Sequence, residues 1–318
     1  MISTQTKFTK TLQEADDDLV CIVCGGKKIS GLHDFSEYRI VRCNECELVF
    51  VDPLPDPDEL ERYADQAHHG VGMEETESYF SIRDIHDRTD PLIAYYHSVL
   101  DILERHTNER DLLDVGSGNG EFLAVAQMRG WNVLGIDVSE EAASKAKSQF
   151  NVDTLVGIFP CDELGDRKFS AITMIDLLEH VVDPVLAVNC AKHHLTANGV
   201  LYVNSPNHRS LLCMIADIAG HIPLAYIQSQ LAKYYHYSHV TVLNPKSLTK
   251  IFQITEMQIL EQGQNNPILG RFKLPLFLGL AIRLVLFLSK LVGKESRLWM
   301  LVKHKETTQP EAKGQYGV

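Results

Sequence analysis

The sequence predicts an α/β fold: a doubly wound sheet closed by a final antiparallel strand and preceded by a small metal-stabilised ribbon. Three observations predict it. Short apolar runs alternate with helical patterns from residue 111 onward, a glycine-rich turn follows the first run, and two Cys-x-x-Cys pairs lie near the N-terminus. The 318 residues are 45% hydrophobic, enough for a sizeable core. With 30 basic against 42 acidic residues, the net charge of −12 argues against broad attraction to nucleic acid phosphates or anionic bilayers. The segment MISTQTKFTKTLQEADDD has no apolar stretch of the secretory kind, so a cytoplasmic location is expected. Residues 1–18 are expected to be disordered.

Cys21-x-x-Cys24 and Cys43-x-x-Cys46 are separated by 18 residues, the spacing of a structural zinc site. Each pair offers two thiolates from one tight turn, and four thiolates complete a tetrahedral shell with no open position. YRIVRC and ELVFVDP read as short strands, so residues 19–55 form a zinc ribbon. Cys161, Cys190 and Cys213 are scattered and read as packing residues. VDPLPDPDELERY is a proline-punctuated linker with a helix start at Asp58, and residues 56–109 form a helical arm. PLIAYYHSVLDILERH carries its apolar stripe through Leu92, Tyr95, Tyr96, Val99, Leu100 and Leu103. His68, His69, His86, His97 and His106 lack metal-ligand spacing.

The main domain is expected over 110–305. DLLDV is a strand and GEFLAVAQMRG a helix. WNVLGIDVS is a second strand, and Ser139 caps the helix SEEAASKAKSQF. VDTLVGI and FSAITMID are further strands, followed by a helix near 183–195 and the strand GVLYVNS. Ligands of such sheets bind at the carboxyl ends of the strands, where the glycine turn lies.

A dinucleotide fingerprint would read G-x-G-x-x-G, but here Gly116-x-Gly118-x-Gly120 is followed by Glu121. Asp114 and Glu121 flank the turn and would repel a pyrophosphate, whereas an ammonium and a sulfonium would suit them. Asp137 closes the second strand 21 residues after Gly116, placed to accept hydrogen bonds from ribose hydroxyls.

LLDVGSGNGEFL, VLGIDVSEEA, FSAITMIDLLEHVVDP and GVLYVNSPN together resemble the motifs of the class I S-adenosylmethionine-dependent methyltransferases. The resemblance covers about residues 90–305 and implies a Rossmann-like fold. It places Asp114, Gly116, Ser117 and Gly118 at the methionine portion, Asp137 at the ribose, Val138 at the adenine edge, and Ile175 and Asp176 at the methyl site. The adenine contact often made by an Asp after the third strand is unassigned in VGIFPCDEL. A nearer resemblance is to the branch with a cysteine ribbon ahead of the domain, similar to methyltransferase-23 proteins and to enzymes that modify sugars, polyketides or cell-surface polymers. RCNECELVFVDPLP, DLLEHVVDP and HVTVLNPKSL carry it, the last placing His239 beside the methyl site. DLLEH is similar to the E-x-x-E-H segment of ubiquinone-biosynthesis O-methyltransferases, which implies a divalent-metal option, with Asp176 where those have Glu.

A hydroxyl acceptor must lose a proton. Either His180 or His239 serves as the base, or Asp176, Glu179 and His180 hold a Mg2+ that acidifies the hydroxyl. His193 and His194 read as solvent-facing.

The expected activity is O-methylation of a small, sugar or lipid-linked acceptor. The rival readings are a zinc-ribbon RNA methyltransferase, which the acidic balance disfavours, and an inactive binding module with the same fold.

Two insertions are expected to shape the substrate site. Residues 208–235 form an apolar lid. Residues 265–297, between the closing strands MQILEQG and RLWMLVKHK, are too long for a hairpin turn. The apolar stretch 268–297 is flanked by Arg271, Lys273, Lys290, Lys294 and Arg297, and Arg283 breaks its charge-free run. It reads either as a lid or homodimer contact, or as an interfacial helix meeting a membrane peripherally. The tail 306–318 is polar and expected to be disordered.

Overall fold

The computed structural model describes residues 19–56, 59, 60, 62, 82–160, 162–220, 235, 238–266 and 276–305. The two expected disordered tails, His68, His69, Cys161, Asp58 and parts of both insertions lie outside the described residues.

The ribbon is a meander of β1 (Ile29–Asp34), β2 (Arg39–Cys43) and β3 (Val49–Asp52), paired antiparallel in that order. Its two cysteine turns meet, with Cys21 Sγ 3.5 Å from Cys46 Sγ and Cys24 Sγ 3.6 Å from Cys43 Sγ. All four sulfurs lie within 4.8 Å of one another. Zinc–thiolate bonds of about 2.3 Å in a tetrahedron set sulfurs about 3.8 Å apart, so the cluster fits a zinc ion. Among the described residues, no other group of His, Cys, Asp and Glu side chains could hold a metal.

The main sheet has seven strands: β4 (Asp111–Val115), β5 (Asn132–Asp137), β6 (Thr154–Val156), β7 (Phe169–Ile175), β8 (Leu195–Pro206), β10 (Met257–Asn265) and β11 (Arg297–His304). Their spatial order is β10-β11-β8-β7-β4-β5-β6, with β11 antiparallel to both neighbours and the other pairings parallel. Alternate residues feed opposite faces. Leu113, Ile172, Leu201 and Val203 enter one core, while Leu112, Ala171, Val200 and Tyr202 enter the other.

Helices follow the strands as the caps direct. Asp90 caps α1 (Pro91–His106), whose Ile93, Val99, Leu100 and Leu103 pack in the second core beside α2 (Glu121–Met128). Ser139 accepts from Ala142 N at the start of α3 (Glu140–Phe150), and Asp183 accepts from Leu186 N at the start of α4 (Pro184–His194). Beyond β8 come α5 (Leu211–Gly220), then α6 (Pro245–Ile254), capped by a reciprocal pair of bonds between Asn244 and Ser247, and α7 (Leu276–Leu291) before β11.

The ribbon is not a separate appendage. A short strand, β9 (Thr241–Val242), pairs antiparallel with β3 and makes the ribbon four-stranded. Val51 N donates to Val240 O at 3.0 Å and Asn244 Nδ2 to Glu47 O at 2.6 Å. Cys21, Val41, Leu48 and Phe50 share one core with Leu243, Leu248, Ile251 and Phe252 of the main domain.

Two outcomes follow from this packing. Gly120 has φ +79°, and a Cβ there would stand 2.7 Å from Ala146 Cβ. Gly120→Ala is therefore expected to destabilise the protein by about 2–4 kcal/mol, read as a lower urea midpoint. Cys43→Ser is expected to reduce bound zinc, measured by elemental analysis, from about one ion per chain towards none. It should cost on the order of 3 kcal/mol of stability, since metal binding is coupled to folding.

Candidate active site

The glycine turn lies at the carboxyl end of β4. Gly116, Gly118 and Gly120 all have positive φ (79°, 51° and 79°), which L side chains rarely adopt. Gly116 N and Ser117 N both donate to Ile136 O, drawing the turn across the end of β5. There Asp137 is almost fully buried and uses both oxygens on backbone, accepting from Gly118 N at 2.7 Å and Ser139 N at 3.0 Å. Val138 follows it, half-buried. Ser117 Oγ is buried without a hydrogen-bond partner, and a Cβ on Gly135 would come within 2.4 Å of it. An orphaned hydroxyl in a glycine cradle fits a bound polar ligand.

Asp114 is buried at the base of the turn and accepts from Thr173 Oγ1 at 2.6 Å. Burial pushes its carboxyl up to about 7, with the nearby Asp137 charge adding to the rise and the Thr173 hydroxyl opposing it. A cation placed against Asp114 would relieve that penalty. Glu121, which opens α2 after the turn, accepts the backbone N–H of Arg83 at 2.6 Å.

The segment after β7 lies beside this turn, since a Cβ on Gly116 would stand 3.1 Å from Leu177 Cδ1. Ile175 is half-buried at the strand end, and Asp176 has φ +56° with its N–H on Asn204 O. The Asp176 carboxylate is paired with Arg297, whose guanidinium also bonds Asn204 Oδ1. Arg297 opens β11, the closing strand expected at RLWMLVKHK, and its side chain is turned onto the site.

Glu179 is 2% exposed and accepts from Ser205 Oγ at 3.0 Å. Burial raises its carboxyl to about 7 against the opposing hydrogen bonds. His180 Nδ1 lies 2.9 Å from Ser238 O, and its ring centre is 4.8 Å from that of His239. The carbonyl can only accept, so Nδ1 carries the proton and Nε2 is the basic nitrogen of neutral His180.

The expected Mg2+ set of Asp176, Glu179 and His180 does not form. Arg297 occupies the first carboxylate, Ser205 and burial hold the second, and the three do not gather as a metal-binding group. His194 also departs from expectation: it is buried, with Nδ1 2.9 Å from Arg167 O, while His193 is exposed.

Sequence reasoning missed a second polar cluster. His33 Nε2 of β1 and Tyr235 Oη meet Asp217 Oδ1 of α5 at 3.0 and 2.6 Å, and His208 Nε2 lies 3.3 Å from Oδ2. Burial opposes ionisation of Asp217, but bonds to His208, His33 and Tyr235 outweigh it and hold the carboxyl well below the usual range. His33 and Asp217 lie 184 positions apart in the chain, so spacing carries no trace of the cluster.

Residues 84–262, more than half of the chain, match a family model described as a methyltransferase domain. The ubiquinone biosynthesis O-methyltransferase of Actinobacillus pleuropneumoniae is 29% identical over 150 residues, which are 43% of this chain and 62% of that protein. The enzyme of the same name from Burkholderia vietnamiensis is 24% identical over 214 residues, 65% of this chain and 85% of its own length. The alignment thus spans less than two thirds of the Actinobacillus enzyme. A solved magnesium protoporphyrin IX methyltransferase from Synechocystis PCC 6803, with bound SAH, aligns with a TM-score of 0.53 at 12% identity, covering 79% of this chain and all of that one. That likeness concerns the fold alone. The chain belongs to the methyltransferase-domain family, within the class I S-adenosylmethionine-dependent methyltransferases.

Proposed function

We propose that this protein transfers a methyl group from S-adenosylmethionine to an oxygen of a small acceptor, with a sugar or lipid-linked compound as the candidate class. The observation that carries the reading is the buried Asp114 beneath a positive-φ glycine turn, with Asp137 at the next strand end. A cationic ligand compensates those carboxylates, and a pyrophosphate would not. Asp114, Gly116, Ser117 and Gly118 would hold the methionine portion, Asp137 the ribose and Val138 the adenine edge, with Ile175 lining the methyl site. When bound, S-adenosylmethionine supplies the activated methyl group. The chain's own task is then alignment of the acceptor and removal of its proton.

His180 is the proposed base, because its Nδ1 bond to Ser238 O keeps Nε2 as the basic nitrogen. His239, its ring tilted against that of His180, borders the acceptor in this reading. Asp176 and Glu179 are proposed as positioning groups, the first held by Arg297 and the second by Ser205.

Calorimetry with S-adenosylmethionine and NADH tests the cofactor. S-adenosylmethionine alone is expected to bind, and Asp137→Ala to weaken it at least tenfold; NADH binding, or binding of neither, would overturn the reading. Asp114 also makes the affinity pH-dependent. Its carboxyl, raised to about 7, takes up a proton as the pH falls through that value, so affinity should drop towards tenfold per unit below pH 7. Asp114→Asn should flatten that profile at a uniformly weaker level. With an O-methyl acceptor in hand, His180→Ala should lower kcat by about 10²–10⁴-fold while leaving S-adenosylmethionine binding unchanged.

A further inference from the structure

The apolar insertion turns its hydrophobic side outward. On a 3.6-residue wheel, Leu280, Leu284, Phe287, Leu288 and Leu291 occupy one continuous arc of α7, and all are exposed, Phe287 by 62% and Leu291 by 68%. The opposite arc, through Leu286 and Ser289, is the buried one. Arg283 and Lys290 border the exposed arc along one edge, and Lys294 continues that edge past the helix end. α5 packs beside α7 and extends the surface with Ile215 and with Ile218, which is 70% exposed. Leu211 N bonds Lys294 O at 3.0 Å and Lys294 Nζ lies 3.3 Å from Met214 Sδ, so the two helices form one face.

The charge of α7 and the turn after it has one sign. Residues 276–294 contain three basic side chains, Arg283, Lys290 and Lys294, and no acidic ones, in a chain whose net charge is −12. A cationic strip along an apolar arc orients a protein on an anionic surface, with the acidic bulk directed away from it. The helix has 16 residues, about 24 Å of rise, and no helix among the described residues is long and apolar enough to cross a membrane. Lying in the interface is the geometry that satisfies both the outward arc and the short length.

We propose that the α5–α7 face docks on an anionic lipid bilayer, the apolar arc entering the headgroup boundary and Arg283, Lys290 and Lys294 meeting lipid phosphates. Docking itself does not depend on the methyl-transfer reading. The consequence that the acceptor is lipid-linked rests on it.

The test is sedimentation of the full chain with vesicles of phosphatidylcholine alone or mixed with phosphatidylglycerol, at low and high salt. Binding is expected to be at least tenfold tighter to the mixed vesicles and to weaken with salt. Leu284→Glu/Phe287→Glu, both at exposed positions, should lose at least tenfold, and Arg283→Glu/Lys290→Glu should lose the preference for anionic lipid. S-adenosylmethionine binding by the variants, measured in parallel, should be unchanged. Absence of wild-type binding, equal binding to both vesicles, or an unaffected Leu284→Glu/Phe287→Glu variant would overturn the proposal. So would a solution dimer that this variant dissociates, which would make a second copy the occupant. Vesicle binding without S-adenosylmethionine binding would leave the docking face intact and remove the methyl-transfer reading instead.

Discussion

The pairing of β9 with β3 is the contact on which the rest of the site depends. It joins Val49 and Phe50 of the ribbon to Val242 and Thr241 of the main domain. Shortly before β9 come Ser238, whose carbonyl accepts from the His180 ring, and His239, whose ring lies tilted against it. A two-residue strand cannot hold its own conformation, so its geometry comes from the ribbon sheet to which it adds. That sheet in turn is held by four thiolates suited to zinc. The metal cluster therefore acts on the candidate active site mechanically, through one ladder of hydrogen bonds and a shared apolar core.

Electrostatics at the site follow the same economy. Asp114 and Glu179 are both buried, with no cationic partner among the described residues, and burial raises both to about 7, whereas Asp176 is paired with Arg297. Carboxyls at the ends of β4 and β7 are thus separated into roles by their surroundings. Two are poised near neutrality, where a bound cation or a small change in hydrogen bonding alters their charge, and one sits in an ion pair. The Asp217 cluster shows the opposite case, a carboxylate held ionised by histidines and a tyrosine at the joint between ribbon and α5.

The alternation of strands and helices, the glycine turn, Asp137 at the second strand end and the four cysteines were all legible in the chain, because each rests on local spacing. Ser139 announced its helix for the same reason, since a cap is satisfied within three residues. Arg297 was placed at the start of the closing strand, but its pairing with Asp176 was not legible, because that partner is more than a hundred residues earlier. The hydrogen bond from Arg83 N to Glu121 was not legible, since it joins residues 38 positions apart. The Mg2+ alternative finds no support, since Asp176 meets Arg297 and Glu179 meets Ser205, distant partners that DLLEH does not reveal.

By itself, then, the sequence determined the fold class, the metal-binding cysteines and the family, because these depend on periodicities and spacings of a few residues. Only the tertiary structure decided which groups face one another: Arg297 on Asp176, Ser205 on Glu179, Ser238 on His180, and the ribbon on β9. It also decided that the apolar arc of α7 points outward, which a helical pattern with no polar face leaves open. The physical reason is common to all of them. Burial, ion pairing and exposure are set by contacts between distant segments, and no local rule in the chain encodes those contacts.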